Sequence, residues 1–122
     1  MHNPNQIIAR LGETQSVASA VNGAATITLA APGATMRWLV LSTSISMSGD
    51  PTATVSFTIK STAGATLLEQ LEFPAAACAP VVSNCIYKGD TNGDVVLNLP
   101  ALGTAIRGTV SVRAVKVPAN GV

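Results

Sequence analysis

Few side chains in this sequence are of the types that carry out chemistry, and those present are scattered. The one histidine, His2, stands beside the N-terminus, where side chains are usually mobile, so a catalytic triad or a histidine-based metal site lacks its members. None of the three lysines lies in a glycine-rich phosphate-binding loop, and the six carboxylates form no obvious acid–base pair. The sequence therefore predicts a protein that is not an enzyme, with no catalytic residue and no cofactor.

One short stretch has side chains at metal-binding spacing. Asp90, Asn92 and Asp94 match positions 1, 3 and 5 of a calcium-binding loop. Such a loop also needs glycine at its sixth position and a bidentate glutamate at its twelfth, where this sequence has Val95 and Ala101. Asn, Gly and Asp are also the residues that tight turns require. The pattern favours a polar turn between two strands over a calcium site, and no metal ligand is assigned.

The two cysteines, Cys78 and Cys85, leave two interpretations open. Their spacing allows two neighbouring strands or a loop to bring them within reach of a disulfide. The alternative is a pair of buried thiols in a protein that folds in a reducing cytosol. Two cysteines alone do not complete a zinc site, so no zinc is expected.

Aromatic residues number four, and Trp38 is the one with several possible roles. It can be a platform for a sugar ring, a core residue or an anchor at an interface, because Trp is enriched both in cores and at interface hot spots. A carbohydrate-binding sandwich usually stacks sugars on two or three exposed aromatics, which this sequence scarcely provides.

The protein is poor in charge. Charged residues make up 11% of the sequence, against about 25% in an ordinary soluble domain, and the net charge is +1. This excludes a polybasic nucleic-acid-binding protein and a basic amphipathic membrane helix, and no apolar run is long enough to span a bilayer. Such a composition is typical of a protein embedded in an oligomer or larger assembly. The alternative is a β-sandwich that is simply rich in Ser, Thr and Ala.

Apolar residues recur with a period of two, which predicts strands rather than helices. The clearest case is Thr52–Lys60, where Val55, Phe57 and Ile59 alternate with polar, mostly hydroxyl-bearing side chains. Further strands are predicted at Ser16–Val21, Thr26–Leu29, Met36–Met47, Thr66–Phe73, Val82–Lys88, Asp94–Leu99 and Arg107–Val117. Seven or eight short strands, about ten residues apart and separated by Gly, Pro, Asn and Asp, indicate a single-domain, all-β antiparallel β-sandwich or jelly roll with negligible helix.

Several local features refine this prediction. Asn22-Gly23 predicts a tight hairpin between the first two strands. A helical turn is the alternative for 67–72. The first half of Met36–Met47 is apolar on both sides and is expected to be covered on both. The last strand changes phase near Ala114, which predicts a bulge or a change of partner there.

A single core is predicted from the alternation. Its expected members are Leu39, Leu41, Val55, Phe57, Ile59, Leu97, Leu99, Val110 and Val112.

The two ends of the sequence differ from its strand-rich middle. Residues 1–12 are polar and contain proline, and they predict an N-terminal arm before a sandwich domain of residues 13–118 and a tail of residues 119–122. The start has no positively charged region followed by an apolar stretch, so no secretory signal is expected.

The arm contains the predicted contact residues. Ile7, Ile8 and Leu11 flank Arg10, which combines three apolar groups for burial with one charge for orientation. An arm of this kind is expected to lie across a neighbouring subunit, and Trp38 is the fifth predicted contact residue.

The order of these features resembles a known group of proteins. A short polar start, an alternating strand leading into Ala30-Ala31-Pro32-Gly33, a long strand that begins Arg37-Trp38-Leu39, Thr/Ser/Ala-rich strands and a Val-rich last strand look like the small β-structured decoration or cement proteins of tailed bacteriophages. The resemblance covers most of the sequence, and it is one of texture and order rather than of a diagnostic motif.

The resemblance implies a virion protein, made in the host cytoplasm and often trimeric, that sits on the capsid surface and clamps neighbouring capsomers. Its partners are then the major capsid protein and further copies of itself, with no nucleic acid and no membrane. Two alternatives remain: another virion module of the neck, tail or fibre, and a carbohydrate-binding or adhesin-like sandwich.

Overall fold

A computed structural model describes residues 13–62, 65–76 and 80–120. This part of the chain is all β and contains no helix, hence none long and apolar enough to cross a membrane. Its nine strands are β1 (Glu13–Val21), β2 (Ala25–Leu29), β3 (Met36–Met47), β4 (Val55–Ser61), β5 (Thr66–Phe73), β6 (Val81–Ser83), β7 (Tyr87–Lys88), β8 (Val95–Leu99) and β9 (Arg107–Pro118). Because β5 is a strand, the helical alternative for 67–72 is wrong.

The strands form two antiparallel sheets through nested pairing. The first strand pairs with the last, β2 pairs with β8, β3 pairs with both β6 and β7, and β4 pairs with β5. The larger sheet has the order β1-β9-β3-β6, with β7 also on β3, and the smaller sheet has the order β2-β8-β4-β5. Nested pairs folded over into two facing sheets are the jelly-roll form of the β-sandwich, so the predicted fold class is confirmed.

The turn at Asn22-Gly23 is present, but the predicted hairpin is wrong. Asn22 has a φ of 62°, as tight turns of this type require, and its side-chain oxygen accepts a hydrogen bond of 2.5 Å from the Ala105 amide. The strands on either side pair with β9 and β8 instead of with each other. The turn therefore carries the chain from the larger sheet to the smaller one.

The main core fills the space between the two sheets, as the alternation predicts. Its buried members include Phe57 and Ile59 of β4 and Val110 and Val112 of β9, and the half-buried Val55 packs against this cluster. The other fully buried aliphatic side chains of this core include Val40, Val95, Leu97, Leu99 and Ala114. The opposite side of β4 is half-buried or exposed and carries hydroxyl groups and Lys60, which confirms the predicted division of its faces.

A β-bulge in β3 corrects two predictions. The register of β3 on β9 shifts between Val40, which faces Ala114, and Ser42, which faces Arg113, so Leu41 is the extra residue. The irregularity near Ala114 is thus real, but it lies in β3 and not in the last strand.

The bulge also separates Leu39 and Leu41 from the predicted core. Both side chains belong to a second, smaller cluster with Val115 and Val117. Strict alternation places Leu41 with Thr43 and Ile45, but the extra residue reverses the phase of the strand between them. The prediction that the first half of β3 is covered on both sides is confirmed, since Trp38, Leu39 and Val40 are all buried.

A hydrogen bond between side chains joins the two sheets at one edge of the sandwich. The Tyr87 hydroxyl, on β7 of the larger sheet, donates to the Glu69 carboxylate on β5 of the smaller sheet. The bond to the carboxylate favours the protonated phenol and raises the pKa of Tyr87 to about 12. This edge is therefore held closed by a specific polar contact in addition to apolar packing.

A buried hydroxyl in the core generates a prediction about stability. The Thr43 side-chain oxygen is buried and has no hydrogen-bond partner among the described residues. Leaving such a group unsatisfied costs about 1–3 kcal/mol. Thr43→Val keeps the shape and removes the hydroxyl, so we expect the free energy of unfolding in urea to rise by about 1 kcal/mol. The control Thr28→Val, at an exposed position of β2, is expected to change it by less than about 0.5 kcal/mol. A clear loss of stability in Thr43→Val would contradict the assigned environment.

Candidate contact face

The described residues hold no group of three or more His, Cys, Asp or Glu side chains placed to bind a metal ion. His2 lies outside them. Cys85 is an exposed free thiol, so the expectation of a buried thiol is wrong at that position, and Cys78 lies outside the described residues.

The turn that resembles a calcium loop uses its side chains to hold strands together. The Asp90 carboxylate accepts hydrogen bonds from the hydroxyls of Thr62 and Thr66, the latter at 2.7 Å. The Asn92 side-chain oxygen accepts one of 3.2 Å from the Gly33 amide. Two of the three candidate ligands are thus bound by protein groups, in agreement with the polar turn that the sequence favours.

The larger sheet has an outer face, directed away from the main core, and its centre forms a groove. Val17 of β1 and Val82 of β6 stand on either side and are 70% and 73% exposed. Between them lie Ser111 and Ser44, whose hydroxyls are hydrogen-bonded to each other. This hydroxyl groove has a volume of about 400 Å³, and Gln15, Asn84 and Arg113 also line it. Its side chains can form hydrogen bonds and apolar contacts with a partner, and its described lining residues include no nucleophile beside a base.

The same face is apolar at the end where β1 begins. Leu39, Leu41, Val115 and Val117 form the outer cluster there. Between this cluster and the hydroxyl groove, Arg113 forms an ion pair with Glu13, and the Arg113 hydrogen bond holds the pKa of the Glu13 carboxyl below its usual range. Because the two side chains carry opposite charges and lie next to each other, the pair adds little net charge to the face.

Among the described strands, β1 has a neighbour on one side only, so it forms one edge of the larger sheet. β1 bonds to β9 along its whole length, and from Thr14 to Val21 it has no charged residue and no proline, which are the usual protections of an edge strand. At the opposite edge of the larger sheet, β6 and β7 are only three and two residues long. The two edges therefore differ in how readily they can add a strand.

The predicted contact residues fall into two groups. Ile7, Ile8, Arg10 and Leu11 lie outside the described residues. Trp38 lies in the main core, only 4% exposed, and its ring nitrogen donates a 2.8 Å hydrogen bond to the Ala30 carbonyl.

Its environment matches the core alternative for Trp38, and a buried ring offers no platform for a sugar. The Lys116 ammonium lies 5.4 Å from the ring centre, within the range of a cation–π contact. Trp38 is therefore not part of the contact face.

Sequence reasoning did not identify Val17 and Val82 as surface residues. In β1 both sides of the alternation carry apolar residues, Val17 and Val21 on one and Ala18 and Ala20 on the other, so the pattern alone does not tell which side is buried. The available signal was size, because the smaller alanines suit the side that packs closely against the core.

Comparisons with known proteins identify the fold. No protein-family model matches the chain, and no curated protein matches it by sequence. Among solved structures, a chain of the acid-stable capsid of Helicobacter pylori bacteriophage KHP30 is 17% identical, with a TM-score of 0.56, over 86% of this chain and 92% of that one.

Two further structures are similar at lower TM-scores. The carbohydrate-binding module CBM36 in complex with calcium and xylotriose is 13% identical, with a TM-score of 0.36, over 83% of this chain and 78% of that one. A protein of the disulfide-linked pili of Bacillus endospore appendages is 15% identical, with a TM-score of 0.43, over 85% and 84%.

The hydrogen bonds of Asp90 predict a dependence of stability on pH. The bonds from Thr62 and Thr66, with a smaller effect of the nearby Arg37 charge, hold the pKa of Asp90 below its usual range. A carboxyl whose pKa is lower in the folded state stabilises the fold above its ordinary pKa of about 4, and this stabilisation is lost as the pH falls through the lower value.

We therefore expect Asp90→Asn to lower the urea midpoint at pH 7 and to lose less stability than the wild type between about pH 4 and pH 2. Asp50→Asn, which changes an exposed carboxylate, is the matched control. Equal acid sensitivity in the wild type and Asp90→Asn, or a rise of the wild-type midpoint on adding calcium, would contradict the structural role of this turn.

Proposed function

We propose that this protein is a non-enzymatic structural protein of a bacteriophage virion, which decorates the capsid and cements it by bridging neighbouring capsid subunits. The observation that carries the proposal is the likeness of nearly the whole fold to a chain of a phage capsid. The composition supports it, because a surface with few charges suits a protein that is covered by other subunits. The protein is then made in the host cytoplasm and resides on the capsid surface.

The outer face of the larger sheet is the contact surface in this proposal. It has a groove lined by hydroxyl groups, with the exposed side chains of Val17 and Val82 on either side, so it offers both apolar area and hydrogen-bonding groups. Strands hold these side chains in fixed positions, which lowers the entropy cost of binding. The proposed partner is the major capsid protein, with Ile7, Ile8, Arg10 and Leu11 as further contact residues; no nucleic acid and no membrane take part.

Cementing needs no chemistry in the protein itself. A ligand that binds only the assembled capsid stabilises the assembled state by mass action at each occupied site. Many copies then act together even when each contact is weak.

Self-association is the second part of the proposal, and the open edge of β1 supports it. No described strand lies on its other side, and from Thr14 to Val21 it carries no protecting charge, so it is suited to pair with another copy. The family resemblance favours a trimer.

The alternatives are less well supported. A carbohydrate-binding role needs exposed aromatic rings, whereas Trp38, Phe57 and Phe73 are buried and Tyr87 is half-buried. A role in the neck, tail or fibre requires the same kind of fold, and the number of copies per virion distinguishes it from decoration of the capsid.

Binding to capsids tests the proposed face. Val82→Lys places a charge beside the hydroxyl groove without disturbing the core, so we expect it to weaken binding to capsids by about tenfold or more. Leu67→Lys, at a 52% exposed position of the smaller sheet, is the control and should bind like the wild type. Capsids without the protein should also rupture at a lower temperature. The proposal fails if Val82→Lys binds capsids as tightly as the wild type and capsids without the protein withstand heating as well as decorated ones.

Light scattering tests self-association. At micromolar concentration we expect the mass of an oligomer, with a trimer as the expected state. Val17→Lys, in the middle of the β1 edge strand, should shift this equilibrium towards the monomer, because a charge on an edge opposes strand pairing. A wild-type protein that is monomeric both free and on the capsid would contradict this part of the proposal.

A further inference from the structure

The sequence contains three Asn-Gly pairs, and the fold holds two of them in different ways. The pairs are Asn22-Gly23, Asn92-Gly93 and Asn120-Gly121, the last of which extends beyond the described residues. In such a pair the backbone nitrogen of the glycine can attack the side-chain amide of the asparagine, because glycine has no Cβ to hinder the approach. This reaction is deamidation, and the surroundings of each pair decide how readily it proceeds.

The Asn92-Gly93 pair is held by hydrogen bonds of both its backbone and its side chain. The Gly93 nitrogen, which would be the attacking atom, donates a 2.9 Å hydrogen bond to the Asp90 carbonyl. The Asn92 amide donates one of 2.7 Å to the Met36 carbonyl, and the Asn92 side-chain oxygen accepts one of 3.2 Å from the Gly33 amide. Local opening must break at least the first of these bonds before the attack, which lowers the reactive population.

The Asn22-Gly23 pair lacks these restraints. The Gly23 nitrogen donates no hydrogen bond to a described group, and nothing lies within 4 Å of the position that a Cβ on this glycine would occupy. Asn22 is exposed, so water reaches its side chain. Its side-chain oxygen, Oδ1, accepts the 2.5 Å hydrogen bond from the Ala105 amide. This donor favours the attack, because negative charge develops on Oδ1 as the carbonyl carbon becomes tetrahedral.

We propose that Asn22 is a site of spontaneous deamidation in the folded protein, and that the fold protects Asn92. The Gly23 nitrogen loses its proton to hydroxide and bonds to Cγ of Asn22, and the bond from Cγ to Nδ2 breaks to release ammonia. One water then opens the succinimide ring at either carbonyl, which gives aspartate or isoaspartate. The new carboxylate lowers the formal net charge from +1 to zero. This inference does not depend on the role on the capsid.

The modification falls where the chain passes from the larger sheet to the smaller one. Asn22 directly follows β1, and β2 begins at Ala25. Isoaspartate adds one carbon atom to the backbone, because the chain then runs through Cβ and Cγ, and its free carboxylate is attached directly to Cα. We therefore expect isoaspartate to weaken this connection between the sheets. Aspartate leaves the backbone unchanged, and its carboxylate can still accept the hydrogen bond from Ala105.

Peptide mapping of the full-length protein tests the proposal. During incubation at mildly alkaline pH, mass spectrometry should find the products forming at Asn22 about fivefold or more faster than at Asn92, which is the effect of one hydrogen bond that must open first. In urea that unfolds the protein, neither pair is restrained and the two rates should converge. Equal rates in the folded protein, or a faster reaction at Asn92, would overturn the proposal. A difference that persists in urea would also overturn it, since the fold would then not be its cause.

Gly23→Ala is the matched variant, because its Cβ hinders the attack and meets no atom within 4 Å. It should slow the reaction at Asn22 several-fold and leave both the rate at Asn92 and the urea midpoint unchanged. An unchanged rate at Asn22 would overturn the attack by the Gly23 nitrogen.

A second variant tests the expected effect on the fold. Asn22→Asp carries the new charge on an ordinary backbone and should keep a urea midpoint close to that of the wild type. The isoaspartate form, separated by chromatography, should have a lower midpoint than both. An isoaspartate form as stable as the wild type would overturn the predicted weakening of the connection between the sheets.

Discussion

The ladder between β3 and β9 is the interaction on which the rest of the structure depends. Both strands are twelve residues long and lie at the centre of the larger sheet, where β9 also holds β1 and β3 also holds β6 and β7. The bulge at Leu41 in this ladder decides which side chains face the main core. It allows Trp38 and Val40 to enter the core before it, and Thr43 and Ile45 after it. Without the extra residue, one half of β3 would present its other side to the core.

The same bulge gives the outer face its two parts. Before it, β3 presents Leu39 outward, and with Leu41 and two valines of β9 this makes the outer cluster. After it, β3 presents serines, and with Ser111 of β9 they form the floor of the hydroxyl groove. The outer cluster and the hydroxyl groove thus follow each other along one sheet.

The sequence predicts the strands well because their signal is local. Alternation in Thr66–Phe73 and Met36–Met47 is a property of neighbouring residues, and both strands have the predicted bounds. Pairing is not local. Asn22-Gly23 has the same turn geometry whether it closes a hairpin or joins two sheets, and the partners of the flanking strands lie far along the chain.

The contact face was less predictable for a related reason. The apolar pattern does not distinguish Val17 from Val115, yet one is exposed and the other is fully buried on the same face. The two valines differ in their surroundings, and period-two reasoning considers only the strand itself. The bulge presents the same difficulty, because the change in the pattern near Ala114 shows an irregularity without telling which of the two paired strands contains it.

The proposed role on the capsid is tested most directly by the amount of this protein in purified virions of a bacteriophage whose genome carries its gene. Quantitative mass spectrometry gives its number of copies relative to the major capsid protein. A decoration protein should be present in a fixed ratio to the capsid protein, and it should remain with capsids from which tails have been removed. Its absence from virions, or its loss together with the tails in only a few copies per particle, would contradict the role on the capsid.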